Sequence, residues 1–159
     1  ALKNKNTPSA IALSRQKVPY INPKNTKENK CEKGAYVVNI TSHDSNVTII
    51  ASGTEVDLAL KVQEKLKQSN IHSKVVSMPC MELFDKQPEE FRKDIIEENS
   101  LVVTIEAGSI MSWHKYIGNN GMNFGIDRFG ESAPYKDIYN HFELSEEKIT
   151  GYIQKKLRE

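Results

Sequence analysis

From Gly34 onward the chain alternates short apolar runs with stretches in which apolar residues recur at helical spacing. The runs have the length and composition of buried strands and lie at residues 35–40, 46–51, 73–78, 101–105 and, more weakly, 121–126. Strands that are separated by helices form a mostly parallel sheet with helices on both faces. The pattern therefore predicts a three-layer α/β/α domain with roughly five strands.

Three helices are predicted in some detail. Ser52-Gly53-Thr54 provides a tight turn and a capping hydroxyl for a helix that stops near Ser69-Asn70. A polar helix lies around residues 88–96, and Ser145 caps the last helix. The predicted buried stripes are, in the first helix, Val56, Ala59, Val62 and Leu66 and, in the last, Ile149, Tyr152, Ile153 and Leu157.

A short apolar run near the start of the chain stands apart from this pattern. Residues 8–13 suit a buried strand of a parallel sheet, and polar residues follow at its C-terminal end. No helix comes after this run, which is separated from the later strands by a polar stretch. A lone buried strand must complete a sheet formed elsewhere, so we expect it to belong to a preceding domain.

Arg15 stands at the C-terminal end of that predicted strand. Ligands of parallel sheets bind at this end of the strands, and a guanidinium forms two hydrogen bonds with a phosphate or a carboxylate. Arg15 is therefore the leading candidate for ligand binding, and a structural ion pair is the alternative.

The net charge of +1 conceals a basic N-terminal part. Residues 1–33 hold eight Lys/Arg and two Glu, which gives +6, and the remainder holds 14 Lys/Arg and 19 Asp/Glu, which gives −5. The basic part has one aromatic residue and the polar composition of a solvated linker, so nucleic-acid binding is not expected.

No apolar run is long enough to cross a membrane and no secretory signal is present, which predicts a cytoplasmic protein with reduced thiols at Cys31 and Cys80.

Few residues carry an obvious chemical role. No nucleotide-binding or hydrolase motif occurs, and no metal-ligand spacing is found among His43, His72, His114 and His141. Glu106 and Asp127 each follow a predicted strand directly, where they would serve acid–base chemistry or, as we favour, fix loops or an interface. Trp113 and Tyr116 have the spacing of a helix face that packs on a core, although stacking on a ligand is the alternative.

Seven segments together resemble the C-terminal part of the transketolase family. They are Pro8 to Gln16, Gly34 to Val37, Ala51 to Val56, Val75 to Pro79, Glu82 to Pro88, Ile105 to Gly108, and Gly125 to Pro134. Each segment is weak evidence when taken singly, and their order over this length makes the resemblance specific. The Asn- and Lys-rich stretch between Val18 and Lys33 departs from the family pattern.

The resemblance implies a homodimeric, three-domain enzyme that moves a two-carbon ketol unit from a ketose phosphate to an aldose phosphate. Residues 1–17 would end the middle, pyrimidine-binding domain, residues 18–33 would be a linker, and residues 34–159 would form the C-terminal domain. Thiamine diphosphate and Mg²⁺ (or Ca²⁺) would bind to the preceding domains, with neither expected on this chain, whose role would be structural. Arg15 would contact the sugar phosphate.

Two alternatives to transketolase stay open at the level of sequence. One is a related thiamine enzyme, such as a deoxyxylulose phosphate synthase or a 2-oxo acid dehydrogenase component, although the long matches at residues 82–88 and 127–134 favour transketolase. The other is a regulatory module that binds a small ligand near Gly53, Glu106 and Asp127.

Overall fold

The computed structural model describes residues 5–6, 8–13, 17–21, 29–97 and 99–159. The strands are β1 (Tyr36–Ile40), β2 (Val47–Ala51), β3 (Ser73–Ser77), β4 (Leu101–Ile105) and β5 (Met122–Phe124). The helices are α1 (Glu55–Gln68), α2 (Met81–Asp85), α3 (Glu89–Ile95), α4 (His114–Ile117), α5 (Tyr135–His141) and α6 (Glu146–Lys156). Short 3-10 turns lie at Lys30–Lys33 and Met111–Trp113.

The five strands form one sheet in the order β1-β3-β2-β4-β5. β2 pairs in parallel with β3 and β4, and β4 pairs in parallel with β5. Among the strands of the described residues, β1 alone runs antiparallel, against β3. The predicted α/β fold, a three-layer domain around a mostly parallel five-stranded sheet, is confirmed. β4 begins and ends at the predicted residues, whereas β5 is three residues shorter than the predicted run.

Two apolar cores form because side chains alternate between the faces of each strand. On one face, Ile49 and Val103 pack against α1 and α6. On the other face, Ile50 packs with Phe84 of α2 and Trp113 of the second 3-10 turn. Since both faces of the central strand β2 are covered, its apolar run is continuous rather than alternating.

The N-terminus of α1 differs from the prediction in one respect. The tight turn is present, with the Glu55 backbone N–H bonded to the Ser52 carbonyl at 3.1 Å and Gly53 at a φ of +51°. Thr54 makes no capping bond to the backbone, and the predicted capping role is wrong. Its hydroxyl donates instead to the Glu55 carboxylate, Oγ1 to Oε1 2.5 Å.

α6 begins as predicted, but only part of its predicted buried stripe is buried. Ser145 Oγ accepts from the Lys148 N–H at 3.4 Å, as a capping residue should. Ile149 and Ile153 are fully buried. Tyr152 is 41% exposed and Leu157 is 40% exposed, so their predicted burial is wrong. The ring of Tyr152 lies at the side of the core near Phe124, and Leu157 lies beyond the last helical turn.

α2 was not predicted as a helix, because five residues are too few to show a helical period. Gly34 holds it against the start of β1. The Cys80 N–H donates to the Gly34 carbonyl at 3.1 Å, and Gly34 has a φ of +85°. A Cβ on Gly34 would lie 2.3 Å from the Phe84 nitrogen, so this close approach requires glycine. Cys31 and Cys80 are free thiols, as predicted.

Residues 8–13 have no regular structure here and are exposed, with Leu13 84% accessible. The predicted strand was assigned to a sheet outside this chain, and that assignment stays a prediction. Further along, Ile21 is partly buried and packs against the core that includes residues of α1 and α6. Across the residues that the structure describes, no helix combines the length and apolar character needed to span a membrane.

Candidate functional site

The carboxyl ends of β2 and β4 place two polar residues side by side. Ala51 and Ile105 are paired in the parallel ladder, so the residues that follow them, Ser52 and Glu106, emerge next to each other. The Ser52 hydroxyl donates to Glu106, Oγ to Oε2 2.9 Å. This edge of the sheet is where parallel α/β folds bind ligands, and Glu106 lies there as predicted.

The Glu106 carboxyl is partly buried, and its pKa differs from the ordinary value for this reason. Burial raises the pKa of the Glu106 carboxyl above its ordinary value, because a charged carboxylate is poorly solvated there. The hydrogen bond from Ser52 opposes this rise, and the nearby carboxylate of Glu55 adds to it. A hydrogen bond from the Trp113 side chain also opposes it. Glu106 is therefore in contact with protein groups on several sides.

A second carboxylate, Glu55, lies at the same edge and was missed by the sequence reasoning. Glu55 is 5% exposed and accepts hydrogen bonds from Thr54 and from the Tyr139 hydroxyl. Burial first, and then the bond to Glu55, raises the pKa of Tyr139 well above its usual range. The sequence signal for Glu55 was an acidic residue in the first turn of α1, which suits the helix dipole. Nothing in the sequence pattern pointed to Tyr139, because α5 was not predicted as a helix.

Asp127 serves a different loop. Its Oδ1 accepts from Ser109 Oγ at 2.9 Å and from the Ile110 backbone N–H at 3.0 Å. These bonds tie the segment after β5 to the segment after β4. Glu106, in turn, joins the segment after β4 to Ser52 after β2, so the two carboxylates connect different pairs of segments and do not bond to each other's partners. The structural interpretation that the sequence favoured therefore describes them better than a paired acid and base.

Trp113 and Tyr116 lie on one side of a short helical segment, as their spacing predicted. Trp113 is buried and its ring meets that of Tyr116 edge to face, with centroids 6.2 Å apart. The Tyr116 hydroxyl donates to Asp85 Oδ1 at 2.9 Å, and Lys115 Nζ lies 2.5 Å from Asp85 Oδ2. This contact joins α4 to α2, which supports packing rather than stacking on a ligand.

A cleft of about 320 Å³ opens beside the buried Glu55 and Tyr139 pair. Residues 17–19 line it together with Thr54, Tyr139 and two lysines, Lys61 and Lys136. Lys61 is paired with Asp57 at 2.9 Å. The stretch that leads into the domain therefore runs along α5 and the start of α1. Arg15, the predicted ligand-binding residue, lies outside the described residues.

Metal binding has no support among the residues that the structure describes. No group of three His, Cys, Asp or Glu side chains in this part of the chain is placed to hold an ion. The site is therefore an edge of the sheet at which three carboxylates, Glu55, Glu106 and Asp127, each accept hydrogen bonds from neighbouring protein groups.

Comparison with known proteins decides the family. A family model described as "Transketolase-like TK C-terminal domain" matches residues 34–145. The chain belongs to the transketolase family. The match spans the whole of the described sheet and reaches the cap of α6.

Curated transketolases match almost the entire chain. The transketolase of Aquifex aeolicus (strain VF5) is 39% identical over 158 residues, which cover 98% of this chain and 23% of that protein. The chloroplastic transketolase of Solanum tuberosum is 38% identical over 154 residues, which cover 95% of this chain and 20% of that protein. The chain thus spans about a quarter or less of the length of these relatives.

Solved transketolases share the fold. The enzyme of Leishmania mexicana superposes with a TM-score of 0.71 at 35% identity, covering 77% of this chain and 18% of that one. The enzyme of Pichia stipitis in complex with sedoheptulose 7-phosphate gives a TM-score of 0.74 at 30% identity, covering 81% and 18%. A "split gene transketolase, inactive beta4 tetramer" covers 91% of this chain and 48% of that one at 22% identity and a TM-score of 0.67, which shows the fold alone.

Proposed function

We propose that this chain is the C-terminal part of a transketolase that transfers a two-carbon ketol unit from a ketose phosphate to an aldose phosphate. The observation that carries the proposal is the match of residues 34–145 to the transketolase C-terminal domain, within a chain that is 39% identical to a curated transketolase over 98% of its length. The related thiamine enzymes that were open at the level of sequence are less well supported, since the curated relatives named above are transketolases.

The role proposed for the chain within that enzyme is structural. Glu55, Glu106 and Asp127 are the carboxylates at the edge where a ligand of such a sheet would bind, and protein hydroxyls or backbone N–H groups already donate to each. Carboxylates held in this way fix loops and present a defined surface. No observation on the described residues favours a separate regulatory ligand at Gly53, Glu106 and Asp127. We therefore expect no ketol transfer by this chain without the rest of the enzyme.

Arg15 is the residue of this chain that we propose contacts substrate. It stands at the end of the Pro8–Leu13 run, which we assign to a buried strand of the preceding domain. Its planar guanidinium would form two charge-assisted hydrogen bonds with the phosphate of a sugar phosphate. The Pichia stipitis relatives of known structure include complexes with sedoheptulose 7-phosphate and xylulose 5-phosphate, and we extend that substrate class to this protein.

Thiamine diphosphate and Mg²⁺ (or Ca²⁺) are the cofactors that the proposed activity requires. The described residues do not fit the metal, because they offer no cluster of three metal-binding side chains. We propose that both cofactors bind to the preceding domains, as the resemblance to the family implies. A homodimer of the full-length enzyme in the cytoplasm completes the proposal, although the relative from Solanum tuberosum is chloroplastic.

The proposal is tested on the full-length protein that contains this domain. Purified enzyme is supplied with thiamine diphosphate and Mg²⁺, a ketose phosphate such as xylulose 5-phosphate as donor, and an aldose phosphate as acceptor. We expect product sugar phosphates to appear, with a dependence on both substrates. Absence of ketol transfer from a folded full-length protein would contradict the proposed activity.

A further inference from the structure

The turn between α4 and β5 holds an asparagine that is followed by glycine. Asn120 is the one asparagine of the sequence whose next residue is a glycine. It is exposed, as is its neighbour Asn119, in a turn that begins at Gly118 with a φ of +60°. The backbone nitrogen of Gly121 can approach the Asn120 side chain closely, because a glycine has no Cβ to hinder the approach.

Asn123, which lies three residues later in β5, shows by contrast how an asparagine is held. Its Oδ1 accepts from Thr104 Oγ1 at 2.5 Å, and its Nδ2 lies 3.3 Å from His114 Nδ1. Asn120 is exposed and lies outside the ladder that pairs β5 with β4. Exposed turns open at little cost in free energy, so the Asn120 side chain can turn towards the Gly121 nitrogen.

We propose that Asn120 is a site of spontaneous deamidation, a covalent change that needs water and no enzyme. The Gly121 backbone nitrogen gives its proton to solvent and attacks Cγ of Asn120. The new C–N bond closes a succinimide ring, while the Cγ–Nδ2 bond breaks and ammonia leaves. Water then opens the ring. Addition of water at Cγ gives an aspartate, and addition at the main-chain carbonyl gives an isoaspartate, whose backbone runs through the former side chain.

The surroundings of Gly121 indicate what an isoaspartate would do to the fold. A Cβ on Gly121 would lie 2.2 Å from the Ile117 carbonyl oxygen and 2.7 Å from the Val102 carbonyl oxygen, so the backbone has no spare room at this point. The isoaspartate adds a carbon atom to the main chain immediately before it. β5 has three residues and is the edge strand next to β4. The displacement should therefore weaken the pairing of β5 with β4.

The added charge should matter less than the added backbone atom. The turn borders an open cleft of about 800 Å³, which is lined by Lys115 and Lys156 and also by Glu97 and Glu159. Side chains of both signs thus lie near the new carboxylate, and exposed charges are screened by salt. Asn120→Asp, which adds the charge and keeps the ordinary backbone, should consequently leave the pairing of β5 unchanged.

Peptide mapping of the full-length protein tests the modification. The protein is incubated at mildly alkaline pH, where the backbone nitrogen loses its proton more readily, and an unincubated sample gives the background. Trypsin cleavage after Lys115 and Arg128 releases one peptide that contains Asn119, Asn120 and Asn123, so mass spectrometry compares the three under identical conditions. We expect conversion at Asn120 to a mixture of isoaspartate and aspartate, with Asn119 and Asn123 unchanged.

The free peptide of residues 116–128 is the positive control, because no fold restrains its Asn120. An exposed turn opens at a free energy near zero, so the rate of conversion at Asn120 in the folded protein should lie within about tenfold of the rate in the free peptide. Asn120→Gln is the matched variant and should show no conversion, since its longer side chain would have to close a larger ring. Conversion of the peptide while Asn120 of the protein keeps its amide would overturn the proposal, as would conversion at Asn119 or Asn123 in its place.

Hydrogen exchange gives a separate readout of the effect on the sheet. The backbone amides of β5 (Met122–Phe124) should exchange faster in incubated protein that carries isoaspartate at position 120 than in fresh protein. Incubated Asn120→Gln and fresh Asn120→Asp should both exchange like the fresh unmodified protein. Equal exchange in the isoaspartate form and the fresh protein would contradict the strain proposed for β5. Faster exchange in incubated Asn120→Gln would assign the change to another residue.

Discussion

The Tyr139 hydroxyl donates a hydrogen bond to the buried carboxylate of Glu55, 84 residues earlier in the chain. The bond ties the first turn of α1 to α5 at the carboxyl edge of the sheet. A buried carboxylate must be compensated by donors, and Thr54 supplies the second one. α5 also carries the cleft along which residues 17–19 run, so the pair stabilises the side of the domain that the preceding polypeptide reaches.

Removing that hydroxyl should destabilise the domain. Tyr139→Phe leaves the ring in place and withdraws one donor from a carboxylate that is 5% exposed. We expect the free energy of unfolding to fall by about 1 to 3 kcal/mol, the range for a lost bond to a buried charged group. Urea denaturation of the two proteins measures the difference. Tyr135→Phe is the matched control, because Tyr135 packs edge to face on Tyr139 and is 50% exposed; it should change stability by less than about 0.5 kcal/mol. Equal effects of the two substitutions would contradict the role of the bond.

Glu106 should make stability depend on pH in a defined direction. Its pKa is raised in the folded protein, mainly by burial, so the folded state binds the proton more tightly than the unfolded state. The contribution of Glu106 to stability therefore falls as pH rises from its ordinary pKa of 4.5 through the raised pKa of the folded state. Glu106→Gln removes the charge and keeps an acceptor for Ser52. It should stabilise the domain at neutral pH, and this gain should disappear at acid pH.

Glu143→Gln is the control, because we expect its effect on stability to depend on pH in the opposite direction. Hydrogen bonds from Tyr152 and Lys148 lower the pKa of Glu143, so its contribution to stability is present above the ordinary pKa and is lost as pH falls through the lowered one. Glu143→Gln should therefore destabilise at neutral pH and converge with the unmodified protein in acid. Urea denaturation over a series of pH values measures both variants. A Glu106→Gln gain that is constant with pH would show that its pKa is not raised.

Two glycine substitutions should have opposite effects. Gly34→Ala puts a Cβ at a φ of +85° and 2.3 Å from the Phe84 nitrogen, which should cost about 1 to 3 kcal/mol through backbone strain and displacement of α2. Gly151→Ala lies inside α6 with no atom within 4 Å of the new Cβ, and it should stabilise by about 0.5 to 1 kcal/mol through helix propensity. Thermal unfolding of both variants checks this. Stabilisation by Gly34→Ala would contradict the close approach of Gly34 to α2.

Arg15 is tested in the full-length enzyme. Arg15→Ala should raise KM for phosphorylated substrates and cost about 2 to 3 kcal/mol of transition-state binding, as expected for a lost charged contact to phosphate. Lys17→Ala removes the same charge two residues away and should leave the kinetics nearly unchanged. An unphosphorylated ketose, used as donor, should be processed equally by Arg15→Ala and the unmodified enzyme. Unchanged kinetics with sugar phosphates would assign Arg15 to a structural ion pair.

The sheet could be predicted from the sequence because its strands are continuous apolar runs separated by turn residues. β4 is the clearest example, with Leu101 to Ile105 predicted to the residue. The elements that were missed are short: α2 and α5 have five and seven residues, and a helical period is not visible over one or two turns. α2 packs Phe84 into the core on one face of the sheet, and α5 packs Tyr139 against the core on the other face.

The candidate site could be predicted only in part, for a related reason. Glu106 was found because it directly follows a confident strand, and Asp127 because it follows a weaker one. Glu55 was not identified, since its burial depends on Tyr139, a contact between residues far apart in the chain. The Thr54 cap failed for a local reason, because the Glu55 carboxylate next to it in sequence accepts the hydroxyl.

We propose that this domain serves the assembly of a transketolase and carries no ketol transfer of its own. The most direct test is a ketol transfer assay on the purified 159-residue chain, supplied with thiamine diphosphate, Mg²⁺, a ketose phosphate and an aldose phosphate. The full-length enzyme, assayed in parallel, is the positive control. We expect no product from the chain without its preceding domains and turnover by the full-length enzyme. Measurable turnover by the 159-residue chain would contradict a purely structural role for this domain.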